Sequence, residues 1–248
     1  MVAMGRLVSI ALLALGALSG AAEAKNLTVA IGLGFVPFEF KQNGKMVGFD
    51  VDLWDAIAKE LGATYTIQSM DFNSIIPALQ TGEADAAIST ISINEVRRKA
   101  IDFSDSYYRS DLLFMVAANS LLKRPSDLSD KTIAVKTGTT GYEYAKTHFP
   151  GATLHRFPNG ENAYLEVITG RADASLQDKP NVLYFIKTNG RGLVKAVGGS
   201  MRPEDYGIGF PKGSKLREPV NRALAKIRSN GAYAAIYGKW FGTTAPAN

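Results

Sequence analysis

The chain has 248 residues, a net charge of +5, 46% hydrophobic and 21% charged side chains, a balance that excludes a disordered polypeptide and supplies core enough for one large or two modest domains. It contains no cysteine, which excludes disulfides, thiolate metal centres and a lipid-bearing cysteine. Its lysines and arginines are scattered among acids, so the basic balance reads as solvated surface and not as a nucleic-acid footprint.

Residues 1–24, MVAMGRLVSIALLALGALSGAAEA, place Arg6 before an apolar run from Leu7 to Leu18 and end in Ala22-Glu23-Ala24. This pattern predicts a secretory signal cut after Ala24. A membrane span needs ~20 apolar residues, more than this run or any later one supplies. Export without disulfides points to a bacterial periplasm.

The segment NLTVAIG then predicts a strand, and FDVDLWDAIAKELG a helix with Asp50 as its N-cap, Leu53, Trp54, Ile57, Ala58 and Leu61 on one face and Gly62 as its stop. ATYTIQSM (strand), NSIIPALQTG (helix) and DAAISTIS (strand) follow, and after them KTIAVKTG, TGYEYAKTHF, ATLHRF, ENAYLEVITG, DASLQ and NVLYFIKTNG, alternating strand and helix. The C-terminal stretch predicts helices with Val220, Leu224, Ile227, Ile236 and Trp240 at apolar positions. Such alternation predicts α/β lobes built on mostly parallel sheets.

The hexapeptides Thr81-Gly82-Glu83-Ala84-Asp85-Ala86 and Thr169-Gly170-Arg171-Ala172-Asp173-Ala174 echo one another as helix end, turn and strand start, which suggests two similar lobes. No Gly, Ser or Pro-rich linker separates them, so the crossings must be ordered; SDSYYRSDLLFMVAAN and the region of MRPEDYGIGF are the candidates. The expected division is 25–107 plus 207–248 for one lobe and 108–206 for the other, with closure about the two hinge crossings. Ligands of open parallel sheets sit beyond the carboxyl ends of strands, which selects Gly32 to Phe35, the Ser89, Thr90 and Ser92 group, and Gln177 with Asp178.

Gly32-Leu33-Gly34 begins like a dinucleotide loop, but Pro37 stands at the third glycine and FVPFEF is extended and aromatic where a helix is needed. His148 and His155 lie in no hydrolase or zinc motif, and Asp50, Asp52 and Asp55 do not form a calcium loop; helix N-terminal capping is the simpler reading of the first two. No cofactor and no metal is expected. Arg97 reads either as an exposed helix arginine or, with Ser92 and the amides of a helix N-terminus, as a carboxylate site. Asp178 reads either as an N-cap or as the partner of an ammonium group.

The runs FVPFEF, VGFDVDLWDAIAKELG, MDFNSIIPALQTG, RKAIDFSDSYY, ADASLQDKPNVLYFIKT and YGKWFG carry a resemblance over nearly all of the chain beyond residue 24. It resembles the periplasmic polar amino-acid-binding proteins of ABC importers (solute-binding protein family 3), and among them the glutamine binders. The resemblance implies a type II clamshell of two α/β lobes, a free amino acid held between them, and a membrane permease with its ATPase as partner. It implies a monomer without enzymatic activity. Carried over by position, Arg97 grips the ligand carboxylate with Ser92 and groups near Ser89 and Thr90, Asp178 takes the ammonium, Phe35 and Phe72 cover the stem, Lys136 reaches a side-chain carbonyl, and Thr140 supplies a main-chain contact.

Two departures from the glutamine-binding pattern stand out. Gly32 replaces an aspartate that accepts from the side-chain amide, and Gln177 replaces a histidine before Asp178. The first removes an acceptor and opens the expectation to glutamate or another polar amino acid, while Lys136 opposes a basic ligand. The alternative class is an enzyme on this fold, such as a periplasmic cyclohexadienyl dehydratase, with Glu39 or Lys136 as acid.

Overall fold

A computed structural model describes residues 26–245, so the expected signal segment lies outside the described residues. Among the described residues no helix is long and apolar enough to cross a membrane.

The first lobe opens with β1 (Asn26–Ile31), a small hairpin of β2 (Phe40–Gln42) and β3 (Lys45–Val47), α1 (Phe49–Leu61), β4 (Thr64–Ser69), α2 (Phe72–Thr81), β5 (Ala86–Ala87), α3 (Glu95–Ala100) and β6 (Asp102–Phe103). The chain crosses into β7 (Tyr108–Ala117), β8 (Thr132–Lys136), α4 (Thr140–His148), β9 (Thr153–Phe157), α5 (Gly160–Ile168), β10 (Ala174–Asp178), α6 (Lys179–Lys187) and β11 (Val194–Tyr206). It returns through β12 (Gly209–Phe210) to α7 (Arg217–Ser229) and α8 (Ala232–Phe241).

Two five-stranded sheets result, ordered β4-β1-β5-β12-β6 and β9-β8-β10-β7-β11. In each, the strands of the βαβ units pair in parallel, β4 and β5 on β1, and β9 and β10 on β8. Strands β7 and β12, which leave the hinge from the end at which the parallel strands finish, run antiparallel to β10 and β5, and β11 and β6 pair antiparallel with them in turn. That places the carboxyl ends of β1, β5, β8 and β10 along one cleft.

The hexapeptide echo has a structural counterpart. Gly82 and Gly170 both take left-handed φ values, 75° and 73°, at helix ends. Asp85 then accepts from the Thr28 amide at 2.9 Å in one lobe, and Asp173 from the Thr132 amide at 2.8 Å in the other. Each carboxylate pins the start of its strand to the first strand of its own lobe.

Helix α1 shows how the sequence fixes the first core. Leu53, Trp54, Ile57 and Ala58 are buried as their spacing predicts, and Gly62 closes the helix at φ 62°. The cap expectation fails: Gly48 holds the N-cap position at φ 139°, where a Cβ would collide with the Phe38 carbonyl, and Asp50 lies inside the helix. Asp50 is wholly buried because it falls on the same stripe as Leu53, Trp54 and Ile57.

Candidate ligand-binding site

All ten residues expected at the cleft are buried; eight of them separate into two clusters, and Gln177 and Asp178 lie between. The first gathers Ser92, Arg97, Thr140 and Glu204. Ser92 and Thr140, one from each lobe, both donate their hydroxyls to Glu204 Oε2, at 2.6 and 2.7 Å. Glu204 Oε1 faces Arg202 Nε at 3.3 Å. Arg97 donates Nη1 to the Ser92 carbonyl and Nη2 to the Gly138 carbonyl of the opposite lobe, each at 3.0 Å, with its guanidinium carbon 5.4 Å from the Phe72 ring centre. Burial pulls the guanidinium below its ordinary range, and Glu204 and Asp178 oppose that. A cavity of about 140 Å³ opens beside Arg97 between Phe72, Ile91 and Gly138.

The second cluster is distal. Lys136 is 1% exposed, and its ammonium sits 4.6 Å from the Phe35 ring centre and 5.0 Å from that of Phe72. Burial lowers its pKa, while Glu39, Asp178 and Asp71 hold it up. Ser89 donates to Glu39 Oε1 at 2.8 Å and accepts from the Gly32 amide at 3.0 Å. Thr90 is in the left-handed region at φ 47°; its amide donates to Asp50 Oδ2 at 2.9 Å and to Tyr107 Oη at 3.0 Å. The Tyr107 hydroxyl completes the triangle, donating to Asp50 Oδ2 at 3.0 Å.

Gln177 and Asp178 end β10 between the two clusters, and Gln177 Nε2 is buried without an acceptor. Asp178 stands at the head of α6 but makes no side-chain cap; its Oδ2 accepts from the Tyr206 hydroxyl at 2.6 Å. Burial, then Glu204, raises its pKa to about 7. A further bridge between the lobes runs from Asn181 Nδ2 to the Val36 carbonyl at 2.7 Å.

A Cβ built on Gly32 would meet Ser89 Oγ at 2.6 Å and Glu39 Oε1 at 3.5 Å, so the space beside Gly32 is taken by the Ser89 hydroxyl, with the Glu39 carboxylate next to it. Glu39, read from sequence only as a possible enzyme acid, is therefore part of this cluster, as is Asp50, read as a cap. The legible signal for Asp50 was a charged residue on an apolar helical stripe. Glu204, Tyr107, Tyr206 and Asn181 carried no such signal, because their roles depend on contacts between the two crossings and the lobes.

Two lobes joined by two crossings, with opposed charged and aromatic groups closing on one cleft, define a clamshell binding protein of the type II architecture. The chain belongs to the bacterial extracellular solute-binding proteins, family 3, which it matches over residues 27–243. It is 32% identical to ABC transporter arginine-binding protein 1 of Escherichia coli strain K12, over 96% of this chain and 99% of that protein. Two solved structures, of an ancestral arginine-binding protein bound to arginine and of one bound to glutamine, are each 40% identical to it. The first has a TM-score of 0.83 and covers 88% of this chain and 98% of the other; the second has 0.82, 88% and 100%.

Proposed function

We propose that this protein captures a polar amino acid outside the cytoplasm, L-glutamine first, and delivers it to an ABC permease. In this reading residues 1–24 are an export signal, the protein works as a monomer in the periplasm, and the lobes divide at 25–107 plus 207–248 and 108–206. Arg97 and the amides near Ser92 and Thr140 take the ligand carboxylate, Asp178 the ammonium, and Phe35 and Phe72 the aliphatic stem, where their faces exclude water.

The observation that carries glutamine over a basic ligand is the Lys136 ammonium, which already lies against both Phe35 and Phe72. A guanidinium entering the same slot would meet that cation in a site of low dielectric. A carboxamide meets complementary groups: Lys136 donates to its oxygen and Glu39 accepts from its nitrogen. The relatives named for arginine favour a basic ligand, and the ancestral protein bound to glutamine favours glutamine within the same architecture. Glutamate is the second reading, supported by Lys136 alone.

Calorimetric titration with glutamine, glutamate, arginine and histidine tests the assignment. Glutamine is expected to bind tightest, and a stronger response to arginine would overturn it. The dehydratase alternative is weakened by the joint presence of Arg97 and Asp178 in the cleft; turnover of prephenate or arogenate by the purified protein would restore it.

A further inference from the structure

Beneath the aromatic slot, two acids lie together. The turn carrying Glu39 is tied to the start of α1 by two backbone bonds, Phe49 amide to the Pro37 carbonyl and Asp50 amide to the Phe38 carbonyl, both at 3.0 Å. This packs the turn that carries Glu39 against the first turn of α1, which carries Asp50. One oxygen of each is partnered: Glu39 Oε1 by the Ser89 hydroxyl, Asp50 Oδ2 by the Thr90 amide and the Tyr107 hydroxyl. The other oxygen of each, Glu39 Oε2 and Asp50 Oδ1, is buried and receives no donor from any described residue.

We infer that Glu39 and Asp50 hold one proton between Oε2 and Oδ1, and that this shared proton decides whether the pocket accepts an uncharged or a carboxylate ligand side chain. The inference rests on the amino-acid reading proposed above. Two buried carboxylates side by side do not both ionise, and a shared proton satisfies both orphan oxygens. The charges that face the pair are the Lys136 ammonium from β8 and the Asp178 carboxylate from β10, with the Tyr107 phenol neutral and Asp71 acting on Lys136. With one proton the pair carries one negative charge, which the Lys136 ammonium balances. A neutral carboxamide then enters without a change of charge. A carboxylate side chain enters with one further proton taken up from solvent by the pair, leaving Lys136 as its counter-ion. Burial, the cause common to both, lifts both acids above the usual carboxylate range, so the pair gains its second proton as pH is lowered.

The test is the ratio of glutamate to glutamine dissociation constants between about pH 5.5 and about pH 8.5, above the ~4.3 at which the glutamate side chain itself titrates. The α-carboxylate and α-ammonium are common to both ligands, so the titration of Asp178 cancels in this ratio. The ratio is expected to fall by up to about tenfold per pH unit as pH is lowered, with about one proton taken up on glutamate binding in excess of glutamine binding. In Glu39→Gln the slope is expected to vanish, and in Asp50→Asn likewise; a purely structural role would weaken both ligands together and leave the slope in place. A wild-type ratio independent of pH overturns the inference while leaving amino-acid binding intact. If neither ligand binds, the functional reading fails separately, and infrared difference spectra still decide the proton. A protonated-carboxyl carbonyl band at neutral pH that is lost in Glu39→Gln and in Asp50→Asn supports the pair; its absence from the wild type overturns it.

Discussion

Arg97 reaches across the cleft to the Gly138 carbonyl, 3.0 Å from its Nη2. The cation proposed for the ligand carboxylate is thereby also a bridge between the lobes, so that in this reading recognition and closure share one side chain. Lysine has a single ammonium and no planar fork, so it cannot hold the Ser92 carbonyl, the Gly138 carbonyl and a carboxylate in the same geometry. Arg97→Lys is therefore expected to weaken ligand binding by about 1.5–3 kcal/mol, the scale for a lost hydrogen bond to a charged group, with the variant remaining folded. Isothermal titration measures the first and circular dichroism the second; an unchanged affinity would remove Arg97 from the site.

Glu204 joins Ser92 of one lobe to Thr140 of the other through one carboxylate oxygen. Glu204→Ala leaves two buried hydroxyls without their acceptor, at about 1–3 kcal/mol for each group left unsatisfied. Urea unfolding without ligand should register that loss. Thr140→Val removes only one donor and should cost clearly less than Glu204→Ala; equal costs would mean that the two hydroxyl bonds do not carry the stabilisation.

The pH dependence of ligand-free stability follows from three raised acids. Asp178, Asp50 and Glu39 all have folded pKa values above their unfolded ones, chiefly through burial. Each favours the folded state in its protonated form, so this contribution is full below the unfolded values near 4 and is lost as pH rises through about 7. The ligand-free melting temperature is expected to fall between about pH 5 and about pH 8, less steeply in Asp178→Asn, as differential scanning calorimetry would show. Ligand affinity should run the opposite way for Asp178, since it holds an ammonium only when ionised.

Gly32→Asp would restore the residue of the glutamine-binding pattern and is nevertheless expected to harm the protein. Its Cβ would lie 2.6 Å from Ser89 Oγ, and a third carboxylate would crowd Glu39 and Asp50. Overpacking costs typically about 1–3 kcal/mol, before the charge repulsion is added. A chemical melt that shows the variant as stable as the wild type would mean that Ser89 and Glu39 move aside without cost.

Removing the Asn181 bridge to Val36 isolates closure from ligand contact. Asn181→Ala is expected to lower affinity mainly through faster ligand release, by about 1 kcal/mol for one lost hydrogen bond. Stopped-flow fluorescence separates the two rates; a change confined to association would contradict a bridge that acts after closure.

The local pattern by itself determined the elements of this protein and selected most of the residues proposed to face the ligand. Apolar periodicity defined α1 and its stop at Gly62, which depend on neighbours within a few residues, and the hexapeptide echo marked Asp85 and Asp173, whose amide partners Thr28 and Thr132 lie 57 and 41 residues away. Strand ends likewise selected Phe35, Ser92 and Asp178, and the resemblance supplied Lys136. Only the tertiary structure decided what those residues meet. Ser89 fills the space that Gly32 leaves, with Glu39 beside it, Asp50 turns from cap to buried acid, and Glu204 binds hydroxyls 112 and 64 residues away. Charges and hydrogen bonds act through space at a few ångströms, and the sequence separation of their partners is set by the two crossings of the hinge, which no local spacing encodes.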